Sequence, residues 1–304
     1  MDHDSDGVTA YARAVAPSVA RLARATRGHE ALAALLRDTG LAHTDVLIAT
    51  RGLLLTGPFD AADLVTIDCA LSPEAVSVAL AEYARRGLVA PLDKAGEGDL
   101  ALYTSTLRGR DLLLRLTALQ GAAVTALWAP QGDLLPALVS IATRVVGTAA
   151  ATLPLTAYPA FRRQQAVPAP FGATAAHLLL TRLVALHALR GDATRATWRA
   201  HGLDARQACV LAAVCCAEGV WPGARQPTHT GEGDPDDGAV RALDALHARR
   251  LVGKENGYWH ITVPGRTLHT TIEQEIDRRT APPFAAIEAH ERAVFLLGVK
   301  KLPG

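Results

Sequence analysis

A short sequence pattern occurs twice in this 304-residue chain, once in each half. The first copy comprises 83–89 (Tyr-Ala-Arg-Arg-Gly-Leu-Val) and 103–110 (Tyr-Thr-Ser-Thr-Leu-Arg-Gly-Arg). The second comprises 246–252 (Leu-His-Ala-Arg-Arg-Leu-Val) and 259–266 (Trp-His-Ile-Thr-Val-Pro-Gly-Arg). Because a repeated segment of this kind indicates a repeated structural unit, the chain is predicted to be a fused pseudo-dimer.

Each copy predicts the same order of elements. A helix ending in an Arg pair, at 73–86 and again at 238–250, is followed by two strands and then by the start of another helix. Asn256-Gly257 is a strong tight-turn signal, so the second hairpin should be short. This order is typical of a winged helix. The predicted fold class is mainly α with small β-hairpin wings, with two winged-helix units joined by a helical dimerisation-like region.

Composition supports a mainly helical chain with more than one domain. Apolar residues make up 49% of the chain and aromatic residues only 5%, so the core is built from Leu, Val and Ala. The length favours two domains. Within the second half we predict a helix at 173–189 and a separate helix from Ala193 to His201. The predicted domains are 1–128 (first unit with flanking helices), 129–171 (a Pro-containing helical connector, its part 152–171 a linker) and 172–304 (a second, partly degenerate unit with C-terminal helices).

Several function classes find no support in the sequence. The four cysteines have no metal-ligand spacing, the histidines form no ligand set, and no cofactor is predicted. Motifs of nucleotide-binding, hydrolase and zinc-protease sites are missing, which argues against an enzyme without excluding one. The acidic N-terminus lacks the features of a secretory signal, and Gly, Pro, Gln and Thr interrupt the uncharged runs 116–132 and 145–161. We therefore predict a cytoplasmic protein without a membrane partner.

The repeated pattern resembles that of the MarR-like winged helix-turn-helix transcriptional regulators, well over 60–116 and moderately over 236–276. In that family two units meet in a dimer, recognition helices enter successive major grooves, wings touch the minor groove, and small lipophilic effectors bind beneath. The resemblance implies a regulator of double-stranded DNA whose two units come from one chain. It would act as a monomeric pseudo-dimer or as a homodimer.

The DNA-facing positions implied by the resemblance differ between the copies. The first recognition helix places Val78 where the family commonly has a basic side chain, whereas the second has Arg241 there. Residues 60–92 carry five acids against two bases, which opposes phosphate contact. Asp236 and Asp237 precede the second recognition helix, and a Gly- and Pro-rich loop at 219–238 replaces the short helix expected before it. The predicted DNA contacts are Ser72, Ser77, Arg108, Arg110, Arg241 and Arg266.

Two further questions stay open at the level of the sequence. The Arg pairs at 85–86 and 249–250 suit either phosphate contact or interaction with the dipole of the helix that they end. Scarce aromatic side chains suit either an effector pocket or ordinary core packing. The predicted ligand contacts are Trp128, Tyr158, Phe161 and Trp198. The alternative to a regulator is a winged-helix scaffold that has lost DNA binding and serves as a small-molecule or protein-interaction module. An enzyme evolved on the same scaffold ranks last.

Overall fold

The computed structural model describes residues 15, 19, 29–40, 58–60, 73–92, 102–167, 169, 172–216 and 237–303. Ser72 and most of the predicted loop 219–238 lie outside these ranges.

Within the described ranges the chain is 76% helical and has two small antiparallel hairpins, which confirms the mainly α fold class with small hairpins. The helices are α1 (Glu30–Thr39), α2 (Pro73–Arg85), α3 (Leu107–Trp128), α4 (Leu135–Thr152), α5 (Pro159–Gln165), α6 (Ala175–Ala200), α7 (Ala205–Cys216), α8 (Asp237–Ala248), α9 (Val263–Thr280), α10 (Pro282–Ala285) and α11 (Ala289–Lys301), with 3-10 helices at Ala129–Leu134 and Leu155–Ala157. The strands are β1 (Val89–Pro91), β2 (Tyr103–Ser105), β3 (Val252–Glu255) and β4 (Tyr258–Ile261).

A hairpin follows the Arg pair in both copies. In the first, Val89 pairs with Ser105, and in the second Val252 pairs with Ile261. The second turn is tight, because Asn256 and Gly257 both have positive φ, 52° and 82°. Positive φ at both central residues is the type I′ conformation that matches the twist of a hairpin. The prediction of a short second hairpin is confirmed.

Two details of the predicted helices are wrong. The helix expected to end near residue 189 continues through Gly191 to form the single helix α6. Its apolar side chains keep a helical spacing across that glycine, since Leu186, Leu189 and Ala193 are all buried. The predicted linker 152–171 contains α5, which begins at a proline in the favoured first position.

The chain divides into two compact units. Unit 1 comprises 1–192 together with 280–304, and unit 2 comprises 193–279. Each unit contains one copy of the repeat. The domain bounds drawn from the sequence stay a prediction.

In unit 1 the hydrophobic core forms around α2, the first helix of the first copy of the repeat. One face of α2 is fully buried through Val76, Ala79, Leu80 and Tyr83. The core is completed by side chains from α1, Phe59, the hairpin and α3: Leu32, Leu35, Phe59, Leu88, Val89, Leu112, Leu113 and Leu116. Because this face of α2 is buried in the core, only the opposite face of the helix is accessible to a partner.

The second copy has the matching arrangement in unit 2. Helix α8 packs on α7 and on β3, and α7 also packs on β4. The buried face of α8 carries Ala239, Ala242, Leu243 and Leu246, the positions that correspond to the α2 stripe. The spacing of apolar side chains therefore orients α2 and α8 in the same way within their units.

Candidate functional site

The Thr-x-x-Gly-Arg part of the repeat forms a hydrogen-bonded corner after each hairpin. In the first copy the Thr106 hydroxyl lies 2.6 Å from the Gly87 carbonyl oxygen and 3.1 Å from that of Leu88. The same hydroxyl accepts a hydrogen bond from the Gly109 amide at 3.0 Å, so Thr106 caps the start of α3. One side chain thus ties the end of α2 to the beginning of α3.

The second copy repeats this corner almost unchanged. The Thr262 hydroxyl lies 2.7 Å from the Arg250 carbonyl oxygen and 2.9 Å from that of Leu251, and it accepts from the Gly265 amide at 3.1 Å. Arg250 adopts φ 59°, close to the 67° of Gly87 in the first copy. The two corners are therefore equivalent residue by residue, although one left-handed position holds arginine and the other glycine.

The glycine of each corner is required by close packing. A Cβ atom on Gly109 or Gly265 would come well inside 3.0 Å of the carbonyl oxygen of Leu88 or Leu251. Real Cβ atoms essentially never approach so closely. The Thr-x-x-Gly spacing is explained by this geometry alone.

The arginine that lies two residues before Leu-Val has a structural role in both copies. Arg86 donates to the Thr39 carbonyl at the end of α1. Its counterpart Arg249 donates from Nη1 to the Gly202 carbonyl at 2.8 Å and from Nη2 to the His201 carbonyl at 3.1 Å. Both arginines satisfy carbonyl oxygens left free where a helix ends. Each arginine thus caps a helix other than the one that it ends, a role that neither sequence alternative named.

This contact extends the repeat beyond the segments recognisable in the sequence. The helix that each arginine caps ends at a glycine of positive φ, Gly40 at 61° and Gly202 at 64°. Arg86 binds the carbonyl just before Gly40, 47 residues earlier, and Arg249 binds the carbonyls of Gly202 and of the residue before it, 47 and 48 residues earlier. A shared Gly-Leu at 40–41 and 202–203 is the only sequence signal of this relation.

The predicted DNA contacts that the structure describes are all exposed: Ser77 on α2, Arg108 and Arg110 on α3, Arg241 on α8 and Arg266 on α9. Arg110 already uses one of its donors within the fold, because its Nε donates a hydrogen bond to the Ser105 hydroxyl at 2.9 Å. The side chains of Arg241 and Arg266 make no hydrogen bond or ion pair with other residues in the described part of the chain. They can therefore reach an anion without losing an internal partner.

The outward face of α2 is poor in free charge. It presents Ser77, Val78 and Ala81, with Val78 59% exposed. Glu82 forms ion pairs with both Arg85 and Arg86, so one carboxylate offsets one of the two positive charges at the end of this helix.

The outward face of α8 has a different character. Arg241 and Asp244 are exposed there, and Ala245 stands where α2 has Glu82. His247, also exposed, places its Nδ1 3.0 Å from the Val252 carbonyl and meets the edge of the Trp259 ring at 5.7 Å. The Lys254 ammonium lies over the same ring at 5.0 Å. These contacts hold a lysine in place on the hairpin through a cation–π interaction.

The predicted ligand contacts fall in both units. Trp128, Tyr158 and Phe161 belong to unit 1 and are 1%, 8% and 0% exposed, while Trp198 belongs to unit 2 and is half-buried. The indole of Trp128 donates to the Pro303 carbonyl at 3.2 Å. The Phe161 amide donates to the buried carboxylate of Asp192 at 2.9 Å. These three aromatic side chains contribute to the packing of unit 1, and a ligand role for any of the four stays a prediction.

An ion-pair cluster that the sequence did not indicate joins α6 and α9 in unit 2. Glu275 accepts from Arg279 at 2.7 and 3.1 Å and lies 3.3 Å from His201 Nε2. The hydrogen bonds from Arg279, and secondarily from His201, hold the pKa of the Glu275 carboxyl below its usual range. In unit 1, Glu291 pairs with Arg144, which lowers the pKa of that carboxyl and raises that of the guanidinium.

Neither ion pair includes a nucleophile or a metal-ligand set. Within the described ranges no group of three or more His, Cys, Asp or Glu side chains is placed to hold a metal ion.

The helical run Leu107–Thr152 is apolar and long enough to cross a membrane, but core helices of soluble proteins meet the same criterion. No protein-family model, no curated protein and no solved structure matches this chain.

Proposed function

We propose that the chain is a transcriptional regulator that carries two winged-helix units in tandem and binds double-stranded DNA. The observation that supports this proposal is the duplicated corner at Thr106 and Thr262, which gives both copies the same helix, hairpin and helix. In a MarR-like arrangement α2 and α8 would be the recognition helices and the two hairpins the wings. One chain would then supply both halves of the binding surface.

Exposed arginines supply the attraction to DNA in this proposal. Arg110 and Arg266 occupy equivalent places after the two hairpins, and Arg108 precedes one of them. Arg241 on the outward face of α8 suits a base edge or a phosphate. Because the net charge of the chain is only +1, we expect modest affinity that depends on these few side chains.

A salt titration tests the proposal. Anisotropy of a labelled random-sequence duplex should show binding at low salt that weakens with a slope of about −4 on a log–log plot, if four arginines contact phosphates. Arg241→Ala should weaken binding several-fold. Arg278→Ala is the matched control, since Arg278 is an exposed arginine about 18 Å along α9 from Arg266. Absence of binding at low salt would refute DNA recognition.

A small lipophilic effector is the second part of the proposal. It rests on the scarcity of aromatic side chains and on the resemblance to regulators that bind such molecules. Adding a small phenol should release the duplex and change tryptophan emission, and Trp198→Phe should reduce the emission change. A duplex affinity that is indifferent to phenols would remove the effector and leave DNA binding in place.

A scaffold that has lost DNA binding is the second candidate function. The outward face of α2 favours it, since Ser77 and Val78 offer no cation and Glu82 forms ion pairs with both neighbouring arginines. Under this alternative the duplex titration gives no signal at any salt concentration, while phenol still changes the tryptophan emission. The same two measurements therefore separate the candidates.

A further inference from the structure

We infer that Arg250 and Arg266 form a two-arginine clamp for one backbone phosphate of duplex DNA, present in unit 2 and missing from the equivalent place in unit 1. The inference rests on the proposed function, and it assigns to one phosphate two arginines that the sequence pattern named only separately. The comparison of the two copies, one residue at a time, carries it.

Arg250 stands where the first copy has Gly87, and both are in the left-handed region of φ. Glycine adopts this conformation freely, whereas an arginine there is strained. Strained residues are concentrated at functional sites. The Arg250 side chain is exposed and makes no hydrogen bond or ion pair with the rest of the described chain, so no contact within the fold accounts for the arginine.

Arg266 lies close to Arg250 through Thr262. The Thr262 hydroxyl donates to the Arg250 carbonyl at 2.7 Å, and the Thr262 carbonyl accepts from the Arg266 amide at 2.9 Å. The backbones of both arginines are therefore joined through one threonine, and both residues are exposed. Two long side chains that start from one corner can bring their guanidinium groups to the oxygens of a single phosphate.

Four substitutions between the copies free or add a cation in unit 2. At the corner Gly87 corresponds to Arg250, and Ser105 corresponds to Ile261. Ser105 accepts a hydrogen bond from Arg110, whereas Ile261 cannot hold Arg266 in that way. On the preceding helix, Val78 is replaced by Arg241 and Glu82 by Ala245. Arg85 and Arg108 are in turn replaced by Ala248 and Pro264, so the repeat keeps the same number of arginines and places them differently in unit 2.

The hairpin of unit 2 carries a further cation whose position is fixed by an aromatic ring. Lys254 is exposed, and its ammonium is positioned over Trp259, which is itself buried against His247. Such preorganisation reduces the loss of side-chain entropy when an anion binds. Lys254 would contact a phosphate other than the one held by the clamp.

The test compares DNA binding by the intact chain with that of corner variants. Arg250→Gly removes the guanidinium and relieves the backbone, so its denaturation midpoint should rise while its affinity for a labelled random-sequence duplex falls about fivefold. Arg250→Asn, which tolerates left-handed φ, should bind as weakly as Arg250→Gly. Arg266→Gln should lose about as much affinity, and Arg278→Gln should bind as the wild type does.

The salt dependence distinguishes a shared phosphate from separate contacts. In the Arg250→Gly, Arg266→Gln double variant the log–log salt slope should become shallower by about 1, because a single phosphate is released. A change of about 2 would overturn the clamp. Single variants that bind as the wild type does would overturn it too, and would leave the proposed function standing. Absence of binding by the wild type would overturn the proposed function and the clamp together.

Discussion

Replacing Gly265 by alanine tests whether the duplicated corner is as closely packed as the structure shows. The added methyl group would meet the Leu251 carbonyl oxygen, a backbone atom that no change of side-chain rotamer can move away. That oxygen also accepts from the Thr262 amide at 3.2 Å and lies 2.9 Å from the Thr262 hydroxyl, whose single proton it shares with the Arg250 carbonyl. Making room for the methyl group therefore breaks contacts in addition to crowding atoms.

The expected loss of stability follows from these contacts. Loss of the amide hydrogen bond costs about 1 kcal/mol, and overpacking costs about 2 kcal/mol. Alanine offsets about 1 kcal/mol through its higher helix propensity. Gly265→Ala should therefore lower the free energy of unfolding by about 2 kcal/mol. Gly109→Ala should have a similar effect, since its added methyl group would meet the Leu88 carbonyl in the same way.

Urea denaturation followed by far-ultraviolet circular dichroism measures the effect. Gly147→Ala is the matched control: Gly147 is an exposed glycine of helix α4 with open space where its Cβ would stand. That variant should gain about 1 kcal/mol. If Gly265→Ala instead behaved as Gly147→Ala does, α9 would not approach the Leu251 carbonyl, and the equivalence of the two corners would be refuted.

Three further outcomes are expected from the same geometry. Arg250→Gly should raise the free energy of unfolding by about 0.5–1 kcal/mol, and Gly87→Ala, whose methyl group finds open space, should lower it by a similar amount in urea denaturation. Thr106→Val should cost about 1 kcal/mol by removing the cap of α3, and an unchanged urea midpoint would contradict that role. Because the pKa of Glu275 is lowered in the folded state, its stabilising effect is present above the unfolded-state pKa and is lost as pH falls through the folded value; Glu275→Gln should flatten the acid limb of stability against pH, and an identical acid limb would show that the ion pair with Arg279 contributes nothing.

Local patterns were enough to predict the elements that the repeat contains. The Arg pair, the Leu-Val strand start and the Thr-x-x-Gly-Arg spacing predicted a helix, a hairpin and a helix in each half, and the structure contains them. Asn256-Gly257 predicted the tight turn because its left-handed conformations are a property of the two residues themselves. Helix and hairpin signals of this kind depend on neighbours within a few positions, so the sequence is sufficient for them.

The continuous helix α6 shows where local signals fail. The sequence predicted an interruption between 189 and 193, where Gly191 lies, but the buried apolar side chains on both sides of it keep the helix in register. Packing of such a face stabilises a helix more than a single glycine weakens it. The propensity of one residue could not decide between these two effects.

The sequence by itself determined that two copies of one unit exist and that each contains a helix, a hairpin and a further helix. Only the tertiary structure decided what the arginines do. Arg86 and Arg249 bind carbonyl oxygens 47 residues earlier in the chain, a partner that no local spacing reveals. The backbone of Arg250 has a strained, positive φ, and its exposed guanidinium makes no hydrogen bond or ion pair within the described part of the chain. Both properties are visible only in the structure. The physical reason is that the residue type determines charge and hydrogen-bonding capacity. The packing of distant segments determines which partner each residue contacts.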